Sequence, residues 1–227
     1  MMVSEATTPE LSVVVPVKNE AKNLAPLIDE ICTSLKGLKL EFEIIYVDDG
    51  STDETPTLLA DIMVVQPELR AIRHRECRGQ SAAIATGVAA ARANLIATLD
   101  GDGQNDPSDI PSLLARYREA SARNSAALMV TGHRTMRKDV WLRRSSSRIA
   151  NGIRGAMLKD DTPDTGCGLK IFPREAFMAM PQFNHMHRFL PALMLRGGGF
   201  IESVEVSHRP RQHGASKYGV WNRLWVG

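Results

Sequence analysis

The chain is 227 residues long, 43% hydrophobic and 24% charged, with a formal net charge of +2. These totals describe an ordinary globular protein with enough chain for one large or two small domains. They exclude a partner selected by overall charge.

The first segment, LSVVVPV (11–17), is a β-branched apolar run that predicts a buried strand, and a helix is expected over 20–36. FEIIYV (42–47) predicts the second strand. It ends at DDGSTDET, where Ser51, Thr52 or Asp53 is placed to cap a helix reaching about residue 65. LRAIR (69–73) predicts a short third strand, GQSAAIATGVAAARA (79–93) a helix rich in small residues, and NLIATLD (94–100) a fourth strand. Pro107 suits the first turn of a helix reaching about residue 123, and AALMVTG (126–132) predicts a fifth strand. Four strand–helix runs at roughly 25–30-residue spacing argue for βαβ units in a mostly parallel, doubly wound sheet.

Beyond Gly132 the pattern changes. A basic helix is expected over about 139–158, then a glycine-rich turn DTGCGLKIF (164–172), a helix near 185–196, a strand FIESVEV (200–206) and a polar segment. This half reads as an elaboration of the same domain. Between 132 and 155, seven basic residues (Arg134, Arg137, Lys138, Arg143, Arg144, Arg148, Arg154) face a single acid, Asp139. Such a run is either a solvated helix face or an anion-binding one. At the far end KYGVWNRLWVG carries an unfinished apolar pattern: an amphipathic terminal helix, or the start of a segment that continues into a membrane.

Three widely spaced cysteines (Cys32, Cys77, Cys167) give neither a metal spacing nor a disulfide framework. No signal-peptide pattern opens the chain, and no run approaches the ~18 apolar residues of a spanning helix. A reduced, cytoplasmic setting is therefore expected.

Three polar clusters fall at strand ends, where open α/β sheets bind ligands: PVKNE, DDGS and DGDGQ. The last runs an apolar strand straight into Asp100, Asp102, Gln104 and Asp106. Like charges so close repel one another, and each resists desolvation, which points to something positive among them. No GxGxxG follows the first strand and no GxxxxGK[ST] occurs, so a dinucleotide or P-loop site is not expected. A calcium loop over 100–111 fails at Asn105, where glycine is needed, and at Pro111, where glutamate is needed. What remains is a divalent cation held by one or two carboxylates, an amide oxygen and the phosphates of a substrate, as magnesium or manganese prefers.

Taken in order, VVVPVKNE, IIYVDDGSTDET, RGQSAAIATG, TLDGDGQNDP, TGHR and RPRQHGASKYG resemble the family 2 glycosyltransferases of the GT-A fold, and among them the dolichyl- and polyprenyl-phosphate sugar synthases. The resemblance covers about 10–219. It implies a single α/β GT-A domain over 1–219, a Rossmann-like, mostly parallel sheet flanked by helices. The nucleotide half would be about 10–132 and the acceptor half about 133–219. It also implies an inverting, metal-dependent transfer of sugar from a GDP- or UDP-sugar to a polyprenyl or dolichyl phosphate, with Mg²⁺ or Mn²⁺ as cofactor.

The roles carried over are specific. Pro16, Lys18 and Glu20 would contact the nucleotide, and Asp48 the base or ribose, with Tyr46 and Asp49 close by. For Asp49, Gly50 and Ser51 a turn and helix cap is the competing reading. Gly79 and Gln80 would lie beside the nucleotide, whereas Gly87 and the alanines after it fit helix packing. Asp100, with Gly101, would face the ribose and the metal, and Asp102 and Gln104 would hold the metal. Asp106 and Asp109 read better as capping and dipole groups. Arg134, Arg143 and Ser147 would surround the diphosphate and the acceptor phosphate, a task suited to arginine's planar fork. Arg211 and Lys217 would clamp the donor's phosphates. His213 departs from the common pattern, and no mechanism is drawn from it.

The expected partners are thus a nucleotide sugar, a lipid phosphate and the cytoplasmic face of a membrane, where 220–227 would lie as an interfacial helix. Two other readings stand beside this one. The first is a same-fold transferase acting on a soluble glycan or protein. A processive synthase is disfavoured, since no tryptophan follows an arginine as its Q-x-x-R-W motif requires. The second is a basic nucleic-acid- or lipid-binding module, which the 5% aromatic content and the lack of any nucleic-acid motif disfavour.

Overall fold

The structure is a computed structural model that describes residues 8–134 and 162–211. One mixed seven-stranded sheet runs in the order β3-β2-β1-β4-β6-β5-β7. Its strands are β1 (Leu11–Val17), β2 (Phe42–Asp48), β3 (Leu69–Arg73), β4 (Leu95–Thr98), β5 (Leu128–Arg134), β6 (Lys170–Pro173) and β7 (Phe200–Val206). The helices are α1 (Ala21–Lys36), α2 (Thr55–Val65), α3 (Gln80–Ala90), α4 (Ile110–Ser121), α5 (Arg174–Met178) and α6 (Leu190–Arg196).

β1 pairs in parallel with β2 on one side and β4 on the other, and β2 pairs in parallel with β3. Helices cover both faces of these strands, so their apolar runs show no alternation. On one face Val13, Val15, Ile44 and Tyr46 pack against Leu24, Leu27, Ile28, Ile31 and Leu35 of α1, which recur at the three- and four-residue spacing of an amphipathic helix. On the other, Val14, Ile45 and Val47 meet Ala83, Ile84 and Val88 of α3. A Cβ at Gly87 would stand 2.4 Å from Val14 Cγ1, so the small residues of α3 serve close packing, as expected.

The chain leaves β1 toward β2 on one side of the sheet and reaches β4 on the other. The carboxyl ends of β1 and β4 therefore form a topological switch point, where open α/β sheets leave a crevice. The loop from Leu99 to Asp106 lies over that crevice.

The second half departs from the expected pattern at one element. Lys170–Pro173, read in the sequence as part of a turn, is a strand, antiparallel to both β4 and β5 in the middle of the sheet. It is four residues long and begins with a lysine, which hides its strand character, yet Lys170 is buried. β7 then pairs in parallel with β5 at the edge. The helix expected near 185–196 is a 3₁₀ turn over Met186–Arg188 followed by α6. The basic helix expected at 139–158 and the terminal helix at 220–227 lie outside the described residues.

Candidate active site

A cleft of about 260 Å³ opens at the switch point, lined by Pro16, Val17, Lys18, Glu20, Asp49, Cys77, Gly79, Gln80, Asp100, Gly101, Asp102 and Arg211. All but Val17 and Cys77 were singled out in the sequence.

The first wall is the turn after β1. Asn19 adopts φ +54° there, and its backbone N–H donates to Ser51 Oγ at 2.8 Å. Glu20 is nearly buried. Its N–H donates to Thr55 Oγ1 and its carboxylate accepts from Asn23 Nδ2 at 2.7 Å. Asp53 Oδ1 accepts from Thr55 N at 3.0 Å at the start of α2, as the capping reading expects. Lys18 reaches into the cleft, and its hydrogen bond with Cys77 raises its pKa.

The acidic pair at the end of β2 is consumed by the chain itself. Asp48 is 1% exposed; Oδ1 accepts from Ser51 N at 2.9 Å, and Oδ2 lies 3.2 Å from Arg73 Nε. Asp49 accepts from the backbone N–H groups of Arg78 and Gly79, both at 2.8 Å, from Cys77 Sγ at 3.1 Å, and pairs with His74 Nδ1 at 2.8 Å. Burial raises its pKa, but these donors together outweigh that and hold it below the usual carboxylate range. The effect is to fasten residues 74–79 over the sheet and to deliver Gly79 (φ +90°) and Gln80, the start of α3, to the cleft.

Two expected nucleotide contacts are therefore not on the cleft wall. Tyr46 is fully buried among α1 residues, because it shares the β2 face of Ile44, and its hydroxyl has no hydrogen-bond partner among the described residues. Asp48 continues that same face and is closed off by Ser51 and Arg73.

The acidic pair after β4 is in the opposite condition. Asp100 sits on the cleft floor, accepting from Gln80 Nε2 at 2.8 Å. Burial, and after it the neighbouring Asp102 charge, push its pKa up to about 6, against the opposing pull of Lys170 and Arg134. Asp102 Oδ1 accepts from Gln104 N at 3.1 Å, an Asx turn, and Oδ2 pairs with Arg211 Nη2. Gln104 itself is not part of the cleft lining. Its backbone carbonyl accepts from Arg209 N at 2.9 Å. Asp106 caps the next turn through Ser108 N, as the capping reading expects, whereas Asp109, at the start of α4, makes no side-chain cap bond and its Oδ2 accepts instead from Ser207 N at 2.8 Å.

Residues not anticipated from the sequence support the pair from behind. Gly168 backs onto Asp100 so closely that a Cβ there would stand 2.2 Å from Oδ2, and its carbonyl is held by Thr98 Oγ1 at 2.7 Å. Lys170 donates to the Cys167 carbonyl, and burial lowers its pKa. Arg134, expected on phosphate, is 10% exposed and gives its fork to Asp164, at 2.6 and 2.8 Å. Asp164, Gly168 and Lys170 all lie in DTGCGLKIF, which reads locally as a turn. Arg143, Ser147 and Lys217 lie outside the described residues.

Among the described residues no group of three or more His, Cys, Asp or Glu could hold a metal ion unaided. Two hard carboxylates two residues apart on a cleft wall, one of them paired with Arg211, nevertheless suit a cation whose remaining ligands come from a phosphorylated substrate, as Mg²⁺ and Mn²⁺ prefer. The residues present fit such an ion.

A mixed α/β sheet with an Asp-x-Asp turn beside a switch-point cleft defines a GT-A glycosyltransferase fold. Solved structures share this fold. Glucosyl-3-phosphoglycerate synthase from Mycobacterium tuberculosis, in complex with Mn²⁺, UDP and phosphoglyceric acid, superposes with a TM-score of 0.65 at 20% identity, over 89% of this chain and 72% of that one. A mannosyltransferase from Pyrobaculum calidifontis in complex with GDP-Man and Mn²⁺ gives 0.58 at 21% identity, over 88% and 56%. The family model of glycosyl transferase family 2 matches residues 12–180, and the chain belongs to that family.

Among its curated relatives, a dodecaprenyl-phosphate galacturonate synthase of Rhizobium johnstonii is 39% identical over 93% of this chain. An undecaprenyl-phosphate 4-deoxy-4-formamido-L-arabinose transferase of Proteus mirabilis is 33% identical over 92%. The chain spans 62% and 63% of the length of these two relatives.

Proposed function

We propose that this chain carries the catalytic domain of an inverting glycosyltransferase that moves a sugar from a GDP- or UDP-sugar to a polyprenyl phosphate at the cytoplasmic face of a membrane. The observation that carries this reading is the pair of carboxylates, Asp100 and Asp102, that line the switch-point cleft together with Lys18 and Arg211. The two relatives named for polyprenyl-phosphate products supply the acceptor class.

The nucleotide lies against Pro16, Lys18 and Glu20, with the start of α3 at its edge. Asp100 and Asp102 would hold Mg²⁺ or Mn²⁺, and such an ion would supply Lewis-acid neutralisation of the departing diphosphate. Gln80 and Gly168 fix the Asp100 carboxylate from two sides, so little reorganisation is needed as charge develops. Lys170 and Arg134 lie close enough to draw the Asp100 pKa down against the burial that raises it.

No side chain is required as a general base. A phosphate monoester has a second pKa near ~6, so the acceptor oxygen is largely ionised at pH 7 and already nucleophilic. In-line attack by that oxygen inverts the anomeric centre. Arg143, Ser147 and Lys217 are assigned to the acceptor and donor phosphates on the family resemblance. The basic run between Arg134 and Arg154 contributes attraction to anionic headgroups of about 1 kcal/mol for each residue near the surface.

The test is transfer from a panel of labelled nucleotide sugars, with Mn²⁺, to polyprenyl phosphate and to the matching polyprenol. The phosphate is expected to be consumed and the alcohol to be inert. Equal transfer to both would mean that a base operates and that the acceptor assignment is wrong.

A further inference from the structure

Asp102 faces the cleft with both oxygens already engaged. Oδ1 accepts the Gln104 N–H at 3.1 Å, and Oδ2 pairs with Arg211 Nη2 at 2.5 Å. Arg211 is not a loose surface side chain that happens to fall there. It follows a short strap that is fastened along the acidic loop at Ser207, His208 and Arg209. Ser207 N donates to Asp109 Oδ2 at 2.8 Å, His208 bridges to Asn105, and Arg209 N donates to the Gln104 carbonyl at 2.9 Å. The Arg209 guanidinium adds ion pairs to Asp106 at 2.6 Å and to Glu30 of α1 at 2.8 Å. Two residues beyond that anchor, the next arginine is brought to the carboxylate.

We infer that Arg211 is a built-in counter-ion for Asp102 that must give way to the divalent cation and passes to the diphosphate of the donor. The inference rests on the donor-cleft reading above and adds an exchange to it. A dication bound to Oδ2 would stand beside a guanidinium on the same oxygen, and at a few ångströms in a half-buried site that repulsion is poorly screened. Cation and arginine therefore compete for Asp102 when the cleft holds no nucleotide. A diphosphate removes the conflict, because it offers oxygens to the cation and to the planar fork of Arg211 at once.

The consequence is reciprocal coupling. Metal alone binds weakly, nucleotide alone binds weakly, and each strengthens the other by the same factor. The site in this way resists filling by a free cation that brings no donor. Arg209 serves as the positioning anchor of the strap and Arg211 as its exchanging end.

The measurement is Mn²⁺ titration, by the loss of the free-ion spin-resonance signal, of the wild-type chain, Arg211→Ala and Arg211→Lys, each alone and with UDP or GDP. Without nucleotide, Arg211→Ala is expected to bind Mn²⁺ several-fold more tightly than wild type. With nucleotide its affinity for UDP or GDP should fall about tenfold or more, so that the coupling factor collapses. Arg211→Lys keeps the charge and should fall between the two in both titrations. Thermal melting of each variant checks that the fold is retained, and the lysine variant carries the test if the alanine variant is unstable. Donor-free Mn²⁺ affinity in Arg211→Ala that is equal to or weaker than wild type overturns the exchange. A wild-type chain that takes up Mn²⁺ but neither nucleotide overturns the donor-cleft reading instead, and the donor-free comparison still decides whether Arg211 competes at Asp102.

Discussion

Two acidic pairs end two parallel strands of this sheet, and they behave in opposite ways. At the end of β2, Asp48 and Asp49 take five hydrogen bonds from the chain and Asp48 an ion pair with Arg73, and Asp49 is held below the usual carboxylate range despite its burial. After β4, Asp100 and Asp102 share few donors and repel each other, and Asp100 is pushed up to about 6. The first pair is a structural clasp. The second, with Arg211 as its one ion-pair partner among the described residues, faces the cleft. What separates them is the third partner in space: the 74–79 loop folds its N–H groups onto Asp49, whereas behind Asp100 stands the bare backbone of Gly168.

If that contrast is right, neutralising one member of each pair has different consequences. Asp102→Asn should cut metal-dependent transfer by about 10²–10³-fold while leaving the melting temperature unlowered, because it removes a like-charge neighbour of Asp100. Activity that survives in this variant in the presence of chelator would break the comparison at its functional end. Asp49→Ala should act on folding instead. Losing the acceptor for two backbone N–H groups and two side chains at a buried site should lower unfolding free energy in urea by about 3 kcal/mol. Urea curves that coincide with wild type would show that the clasp is not one.

A subtler change sharpens the distinction. Gly168→Ala touches neither pair's charge, but its Cβ would stand 2.2 Å from Asp100 Oδ2. Displacing that carboxylate by about 1 Å should cost roughly tenfold to a hundredfold in transfer with little change in stability. An unaltered rate would mean that the position of Asp100 is not critical.

Much of this was legible in the sequence because burial on both faces forces parallel strands into continuous apolar runs, as in VVVPV and IIYV. The same property conceals which way these side chains face. With no alternation to read, nothing local says that Tyr46 points toward α1 and away from the nucleotide, or that Asp48 follows it. The DGDGQ turn was legible because clustered acids after a strand are costly unless used. The supporting shell was not. Lys170 looks like a loop residue in LKIF, and only the sheet's topology reveals that a lysine opens a central antiparallel strand and lies under the site. Arg134 was expected on phosphate from the family resemblance. Its pairing with Asp164, thirty residues away, depends on a fold-level approach that spacing does not encode.

The most direct test of the central claim is the thermal stability of the wild-type chain with UDP or GDP, with and without Mn²⁺. The account predicts that one nucleotide raises the melting temperature substantially with Mn²⁺ and that chelator abolishes the gain, because the diphosphate is held through a cation on Asp100 and Asp102. Equal protection by the same nucleotide in chelator would contradict it, since the acidic pair would then have no cation to hold and the cleft would bind nucleotide in spite of it.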